Sequence, residues 1–294
     1  MLYTMKELVD RASAENYAIA APNVGNSLDC DAAIAAAEAL NAPIILDVRF
    51  ENLGPVDRRK ADPLLFCQWL RIRAEHAKVP VALNEDHGPS FKAAVLNIQA
   101  GVTSVMADRS ALPFEDNVRE TLKVCEMAHA ANISCEAELG HVGQADTFGD
   151  TYESGDSIYT NVDEAVEFVK RTGVDCLAIS IGTAHGKYPK GYVPNLDFER
   201  LATIKAALNE AMGYSYPLVL HGSSGTPNDQ IQKACAMGIN KVNINTDLTI
   251  AAMEAVLASG GKGNVWSIAS AGFKKKLMEM IPIYGSEGKA WKPW

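Results

Sequence analysis

No stretch of this chain approaches the ~20 consecutive apolar residues that a membrane helix requires. The N-terminus, MLYTMKELVDRASAENYAIAAPN, is amphipathic and lacks the uninterrupted apolar segment of a secretory signal. A cytoplasmic protein with no membrane partner is the expectation. Positive charge is scarce as well: 27 Lys and Arg stand against 36 Asp and Glu, a formal net charge of −9. That balance argues against nucleic acid as a partner, so any phosphate is expected to be bound locally. The six cysteines (Cys30, Cys67, Cys125, Cys135, Cys176 and Cys235) have no CxxC spacing and read as reduced core residues. Also missing is the GxGxxG fingerprint of a dinucleotide-binding open sheet, because the chain after the first strand candidate reads APNVGNS.

What is present is a regular alternation. Short β-branched runs at Tyr17–Ala21, Pro43–Val48, Pro80–Glu85, Thr103–Ala107, Ser134–Leu139, Cys176–Ser180, Pro217–His221 and Lys241–Asn245 are separated by longer Ala- and Glu-rich segments of helical period. Eight such units in 294 residues, with no linker-like interruption, predict an α/β chain folded as one (β/α)8 TIM barrel over residues 1–294 with a C-terminal helical tail. The longest irregular segment, residues 140–159 (GHVGQADTFGDTYESGDSIY), is long for a βα connection and is a candidate mobile active-site loop.

Barrel chemistry sits at the C-terminal ends of the strands. Three of the six histidines fall there: His87 in VALNEDHG, His185 in LAISIGTAHG and His221 in LVLHGSSG. Each one alone would be an ordinary buried or surface histidine. Three at one barrel mouth suit Zn²⁺, with coordination positions left for substrate. Asp86 precedes His87 and is placed either as a general acid or base or as an anchor for an imidazole N–H. The other histidines offer a contrast: His76 and His129 lie in helical segments, and His141 opens the long loop. After strands seven and eight come the turns HGSSGTPND and KVNINTDL, which run into helices and can present backbone N–H groups to a phosphate.

These segments, with VPVALNEDHG, SVMADRSALPFEDNV, CEAELG, AHGKYPKG, LDFERL and the terminal YGSEGKA, resemble the class II, metal-dependent fructose- and tagatose-bisphosphate aldolases over nearly the whole chain. The resemblance implies a lyase of carbohydrate metabolism. Its zinc ligands would be His87, His185 and His221, its catalytic aspartate Asp86, and its acidic residues near the metal Asp108 and Glu138. The hydroxyketone-phosphate contacts would be Gly186, Gly222, Ser223, Ser224, Asn243, Asn245 and Thr246. A ketose bisphosphate would be cleaved to dihydroxyacetone phosphate and an aldehyde through a zinc-stabilised enediolate, with Asp86 moving the hydroxyl proton. The family also implies a homodimer or homotetramer, and its chemistry leaves room for a monovalent cation.

Departures from the family cluster on one side of the site. Where relatives carry a loop glutamate, this chain has GQADTFGD, which makes Asp146 the nearest candidate for the second acid. Arg49 stands where they have serine, Arg109 and Ala111 where they have glycine and histidine, and Asn84 where they have histidine. Arg49 is expected either to contact substrate or to pair with a carboxylate such as Glu51 or Asp47. The metal and phosphate half would then be kept and the aldehyde half changed. A Schiff-base aldolase would need a desolvated lysine within a strand, whereas Lys241 is expected to start strand eight at the end opposite the active face. The competing readings are a metal-dependent epimerase or isomerase of a ketose derivative, and a non-catalytic aldolase-like subunit.

Overall fold

The computed structural model describes residues 1–49, 63–143, 158–186 and 188–292. Its strands are β1 (Ile19–Pro22), β2 (Ile44–Val48), β3 (Val81–Gly88), β4 (Ser104–Ala107), β5 (Ser134–Leu139), β6 (Cys176–Ile179), β7 (Leu218–Leu220) and β8 (Ile239–Ile244). All pair in parallel, in the order β1-β8-β7-β6-β5-β4-β3-β2. The remaining seam, β1 to β2, is joined by a bridge between Asn23 and Asp47, where the Val24 N–H donates to the Asp47 carbonyl at 2.9 Å. The expected (β/α)8 barrel is therefore present.

Helices follow the strands as anticipated: α2 (Ser27–Ala39), α3 (Pro63–Glu75), α4 (Phe91–Ala100), α5 (Phe114–Ala130), α6 (Val162–Thr172), α7 (Phe198–Met212), α8 (Asn228–Ala236), and the tail helices α9 (Thr246–Ala258) and α10 (Val265–Tyr284). Ahead of them all, α1 (Met5–Glu15) starts from a reciprocal Thr4–Glu7 capping box. It buries Met5, Leu8, Val9 and Ala12, a spacing that puts all four on one face. That face packs with Ile19, Ile45, Ala82, Cys176 and Val219 in one apolar cluster, closing the floor of the barrel.

Strand alternation decides what fills the barrel above this floor. In β5, Cys135 and Ala137 pack outward with the helices, while Glu136 and Glu138 alternate with them and are buried on the other face. The same period turns Asp47, Asn84, Lys241 and Asn243 inward. Lys241 is fully buried, with Nζ 2.9 Å from Glu136 Oε2 and 3.4 Å from Asp47 Oδ2.

This corrects the reading of strand eight. β8 begins at Ile239, and Lys241 lies inside it, not at its start. A polar Asn240-Lys241 pair looks like the end of a turn, but two buried carboxylates make the lysine a core residue. It is still no Schiff-base nucleophile. Burial opposes its charge, but the Asp47 and Glu136 carboxylates outweigh that and raise its pKa above the ordinary lysine value. Breaking a buried ion pair from one side costs about 3–5 kcal/mol. Lys241→Met should lose that much stability in urea denaturation, because it leaves Glu136 and Asp47 without their counter-charge; unchanged stability would contradict the network.

Candidate active site

The mouth of the barrel is organised around a distortion at the end of β3. The β3–β4 register shifts between Glu85 and Gly88, and His87 takes a φ of +53°, which few non-glycine residues adopt. At Gly88 a Cβ would lie 2.5 Å from the Met106 carbonyl oxygen and 2.7 Å from Glu85 Cδ, so the close approach admits only glycine. The bulge aims the His87 ring across the barrel mouth.

There the three histidines meet. Ring centroids lie 4.9 Å apart for His87–His185, 4.7 Å for His87–His221 and 6.0 Å for His185–His221. One nitrogen from each lies within 4.8 Å of the other two. Carboxylates hold the far sides of two rings: His87 Nδ1 is 2.6 Å from Asp108 Oδ2, and His221 Nε2 is 2.8 Å from Glu136 Oε1. The opposite nitrogens, His87 Nε2 and His221 Nδ1, then face each other at 3.0 Å, with Asn243 Nδ2 3.4 Å from the latter. With both rings neutral and donating to their carboxylates, two lone pairs would oppose each other across that gap, so a positive charge between them is required.

A proton on His87 meets that requirement, and so does a metal ion. Tetrahedral Zn–N bonds of about 2.0–2.1 Å put ligand nitrogens roughly 3.3 Å apart, close to the spacing found. The donor set of three imidazoles, two of them anchored by carboxylates, therefore fits a divalent metal such as zinc. Asp108 and Glu138 form a second group with His87, whose donor atoms also lie within 4.8 Å of one another. They adjoin the histidine cluster through His87 and do not converge with His185 and His221.

Asp86 is buried and held from three sides. Asn243 Nδ2 donates to Oδ1 at 2.9 Å, and Asn23 Nδ2 and Arg49 Nε each donate to Oδ2 at 2.8 Å. Burial alone would raise its pKa, but the positive charges of His87 and Arg49 outweigh burial and hold it well below the carboxylate range. His87 responds in kind: burial lowers its pKa, Asp86 and the Asp108 hydrogen bond raise it, and the net position is about 9. His185 is pushed down to about 3 by burial and by the neighbouring His87. His221 is also lowered, chiefly by burial. Glu138 is pushed up to about 8 by burial and by Asp108.

A cavity of about 200 Å³ opens beside this cluster, lined by Asp86, His185, Arg49, Gly186, Gly222, Ser223, Ser224, Asn243, Asn245 and Thr246. All the residues expected to bind phosphate thus share one wall. Gly222 has φ +63°, and a Cβ there would lie 2.6 Å from the Ala184 carbonyl carbon. Ser223 Oγ donates to the Asn243 carbonyl at 2.6 Å, locking the two turns together. Helix α9 starts at this wall; its N-cap residue Asn245 makes no side-chain cap, and the Asp247 N–H in its first turn donates to Ser224 Oγ at 3.3 Å.

Arg49 is where the expectation needs correction. Asp47 is not its partner, because Asp47 faces Lys241 and accepts from Asn84 Nδ2 at 2.9 Å. Arg49 pairs with Asp86 itself while lining the cavity. Arg109 is buried, and its Nη1 donates to the Gly88 and Asp108 carbonyls. His141 Nδ1 lies 3.1 Å from Ser110 Oγ, on the wall of a second cavity that also touches His87 and Asp108. Asp146, Glu51 and residues 144–157 of the long loop lie outside the described residues. Sequence reasoning missed Asn23 and Glu136. The alternation of SCEAEL could have exposed Glu136, since its apolar neighbours mark the outward face; Asn23 carries no comparable signal.

Comparison with known proteins agrees with this geometry. The sequence profile of the class II fructose-bisphosphate aldolase family matches residues 3–289. The chain belongs to that family. It is 39% identical to the fructose-bisphosphate aldolase of Geobacillus stearothermophilus over 98% of this chain and 99% of that one. It is 35% identical to the corresponding enzyme of Thermus caldophilus, over 99% and 100%. Among solved structures, the YdjI aldolase of Escherichia coli K12 superposes with a TM-score of 0.84 at 34% identity, covering 99% of this chain and 100% of that one. As a family member, this class II aldolase is a carbon–carbon lyase.

One substitution probes the anion wall. Gly222→Ala forces an L-residue into the left-handed region, at about 1–2 kcal/mol, and drives a Cβ into the Ala184 backbone beside His185. Urea denaturation should show at least that loss, and inorganic phosphate should bind more weakly; a variant matching wild type in both would remove Gly222 from the wall.

Proposed function

We propose that this class II aldolase is a zinc enzyme that reversibly cleaves a ketose phosphate or bisphosphate to dihydroxyacetone phosphate and an aldehyde. The observation that carries the reading is the convergence of three imidazole nitrogens beside Asp86, against a wall of backbone N–H groups suited to phosphate. His87, His185 and His221 would hold the metal, which supplies Lewis acidity toward the ketone and hydroxyl oxygens of the substrate.

The chain's own groups account for the rest. The Gly186, Gly222, Ser223 and Ser224 turns and the start of α9 would seat the phosphate, with Asn243, Asn245 and Thr246 closing the wall. Asp86, kept ionised and oriented by Asn23, Asn243 and Arg49, would accept the proton of the hydroxyl whose carbon leaves as aldehyde. Asp108 and Glu136 fix the tautomers of His87 and His221, and Glu138 lies beside Asp108. Asp146 is assigned the second proton transfer, at the departing ketone's carbon. Arg49, which pairs with Asp86 and lines the same cavity, would belong to the altered half of the site and set which aldehyde is accepted.

The test is condensation of dihydroxyacetone phosphate with a panel of aldehydes, followed by mass spectrometry with and without chelator. Chelator-sensitive adducts are expected, and Arg49→Ser should change their ranking. A product of unchanged mass from a ketose phosphate would indicate an epimerase instead, and a chain that takes up no zinc and catalyses nothing would be a supporting subunit. Self-association is part of the proposal. In α9, Leu248 is the sole buried residue, whereas Met253, Leu257 and the adjacent Trp266 are 59%, 74% and 72% exposed. That apolar face suits a second copy in a homodimer or homotetramer. Among the described residues no helix is long and apolar enough to cross a membrane, and the proposed setting is the cytoplasm.

Metal uptake should also move a proton. Without metal, His87 stays protonated up to about pH 9, whereas a metal-ligating imidazole must be neutral. Apparent affinity should therefore rise about tenfold per pH unit below 9 and level off above it. His185 and His221 are already neutral near pH 7 and add nothing. Calorimetry in buffers of different ionisation enthalpy should find about one proton released per zinc at pH 7.5; release of none would contradict the assignment of His87.

A further inference from the structure

His87 is held in an unfavourable backbone region, and such residues persist only where their surroundings leave no alternative. Among the contacts that hold it, one does not follow from the strand ladder. Arg109 Nη1 donates to the Gly88 carbonyl at 2.8 Å and to the Asp108 carbonyl at 2.5 Å. Gly88 directly follows His87, and Asp108 is the residue whose carboxylate orients the His87 ring at 2.6 Å. A single nitrogen thus ties the backbone beside a ligand to the backbone of that ligand's anchor. The Asp108 N–H also donates to the Gly88 carbonyl, at a longer 3.3 Å.

Two further features make this contact consequential. Arg109 is 9% exposed, so its hydrogen bonds face little competition from water. Asp108 is also braced on its other oxygen, with Ser110 Oγ donating to Oδ1 at 2.9 Å. The carboxylate and the backbone of Asp108 are therefore fixed independently, the first by Ser110 and the second by Arg109. The resemblance places a glycine at this position in relatives, which lack a side chain able to make the tie.

We propose that Arg109 is a positioning residue for the metal centre: it clamps the bulge at Gly88 against Asp108 and so sets the direction of the His87 Nε2 lone pair. The inference rests on the reading that His87, His185 and His221 hold zinc. An opposing effect exists, because a buried guanidinium near the site repels a divalent cation. The proposal states that alignment outweighs repulsion. Removing a group that orients a metal-ligating histidine typically lowers affinity about 10–100-fold.

The experiment measures Zn²⁺ affinity by competition with a chromogenic chelator for wild type, Arg109→Gly, Arg109→Met and Arg109→Lys. The visible spectrum of each Co²⁺-substituted form and the melting temperature of each metal-free form are recorded alongside. Arg109→Gly and Arg109→Met should bind zinc at least about tenfold more weakly, with altered Co²⁺ ligand-field bands and a metal-free melting temperature close to wild type. Arg109→Lys, which keeps a cationic donor, should recover part of the affinity, and it carries the test by itself if the other two variants fail to fold. Wild-type zinc uptake with unchanged or tighter binding in the variants would overturn this inference alone. Absence of zinc uptake by the wild-type chain would overturn both this inference and the reading beneath it.

Discussion

The Lys241 ammonium is the charge on which the interior of the barrel depends. Two fully buried carboxyl groups, Asp47 and Glu136, sit within 3.4 Å of its Nζ; Glu136 stays ionised there because of it, whereas burial outweighs it at Asp47 and pushes that group up to about 8. Through Glu136 the effect passes upward, because Glu136 also accepts from His221 Nε2 and so turns the opposite nitrogen of that ring toward His87. Burial disfavours the ionised form of Glu136, yet Lys241 and the His221 hydrogen bond hold its pKa below the ordinary value. An apolar floor, a charged middle layer and a histidine-lined mouth thus form one stack, with Lys241 at its centre.

Much of this was legible in the chain. Period-2 and period-3.6 patterning placed all eight strands, and β5, α4 and α5 have the boundaries expected for them. The histidines were legible because barrel geometry makes a strand end a privileged position and each of the three adjoins a glycine. What the sequence concealed is polar residues that behave as core. Asn240-Lys241 looks like a turn because hydropathy takes no account of a lysine neutralised by residues 105 and 194 positions away in the chain. The partner of Arg49 was hidden for the same reason: the nearby carboxylate Asp47 was a natural guess, but the barrel turns it inward to Lys241 and leaves Asp86 within reach.

The departures from the family take on different physical meanings once located. Asn84 supports the charged layer by donating to Asp47. Arg109 braces backbone through Nη1 while lining the second cavity beside His87 and Asp108. Arg49 pairs directly with Asp86, the carboxylate proposed to move the proton. These are a packing change, a geometric change and an electrostatic change. Only the third touches Asp86, so under the proposed chemistry one side chain could change substrate range while the proposed metal and phosphate contacts stay as they are.

The seam between β1 and β2 differs from the other strand junctions of the barrel. Seven of its strand junctions are ladders, whereas this one rests on the bridge between Asn23 and Asp47. Asn23 also supplies a hydrogen bond to Asp86, and Asp47 touches Lys241. The one joint closed by a bridge and not by a ladder is therefore built from residues that touch Asp86 and the central charge. Any change in spacing at this seam would shift both the Asn23 donor to Asp86 and the Asp47 neighbour of Lys241.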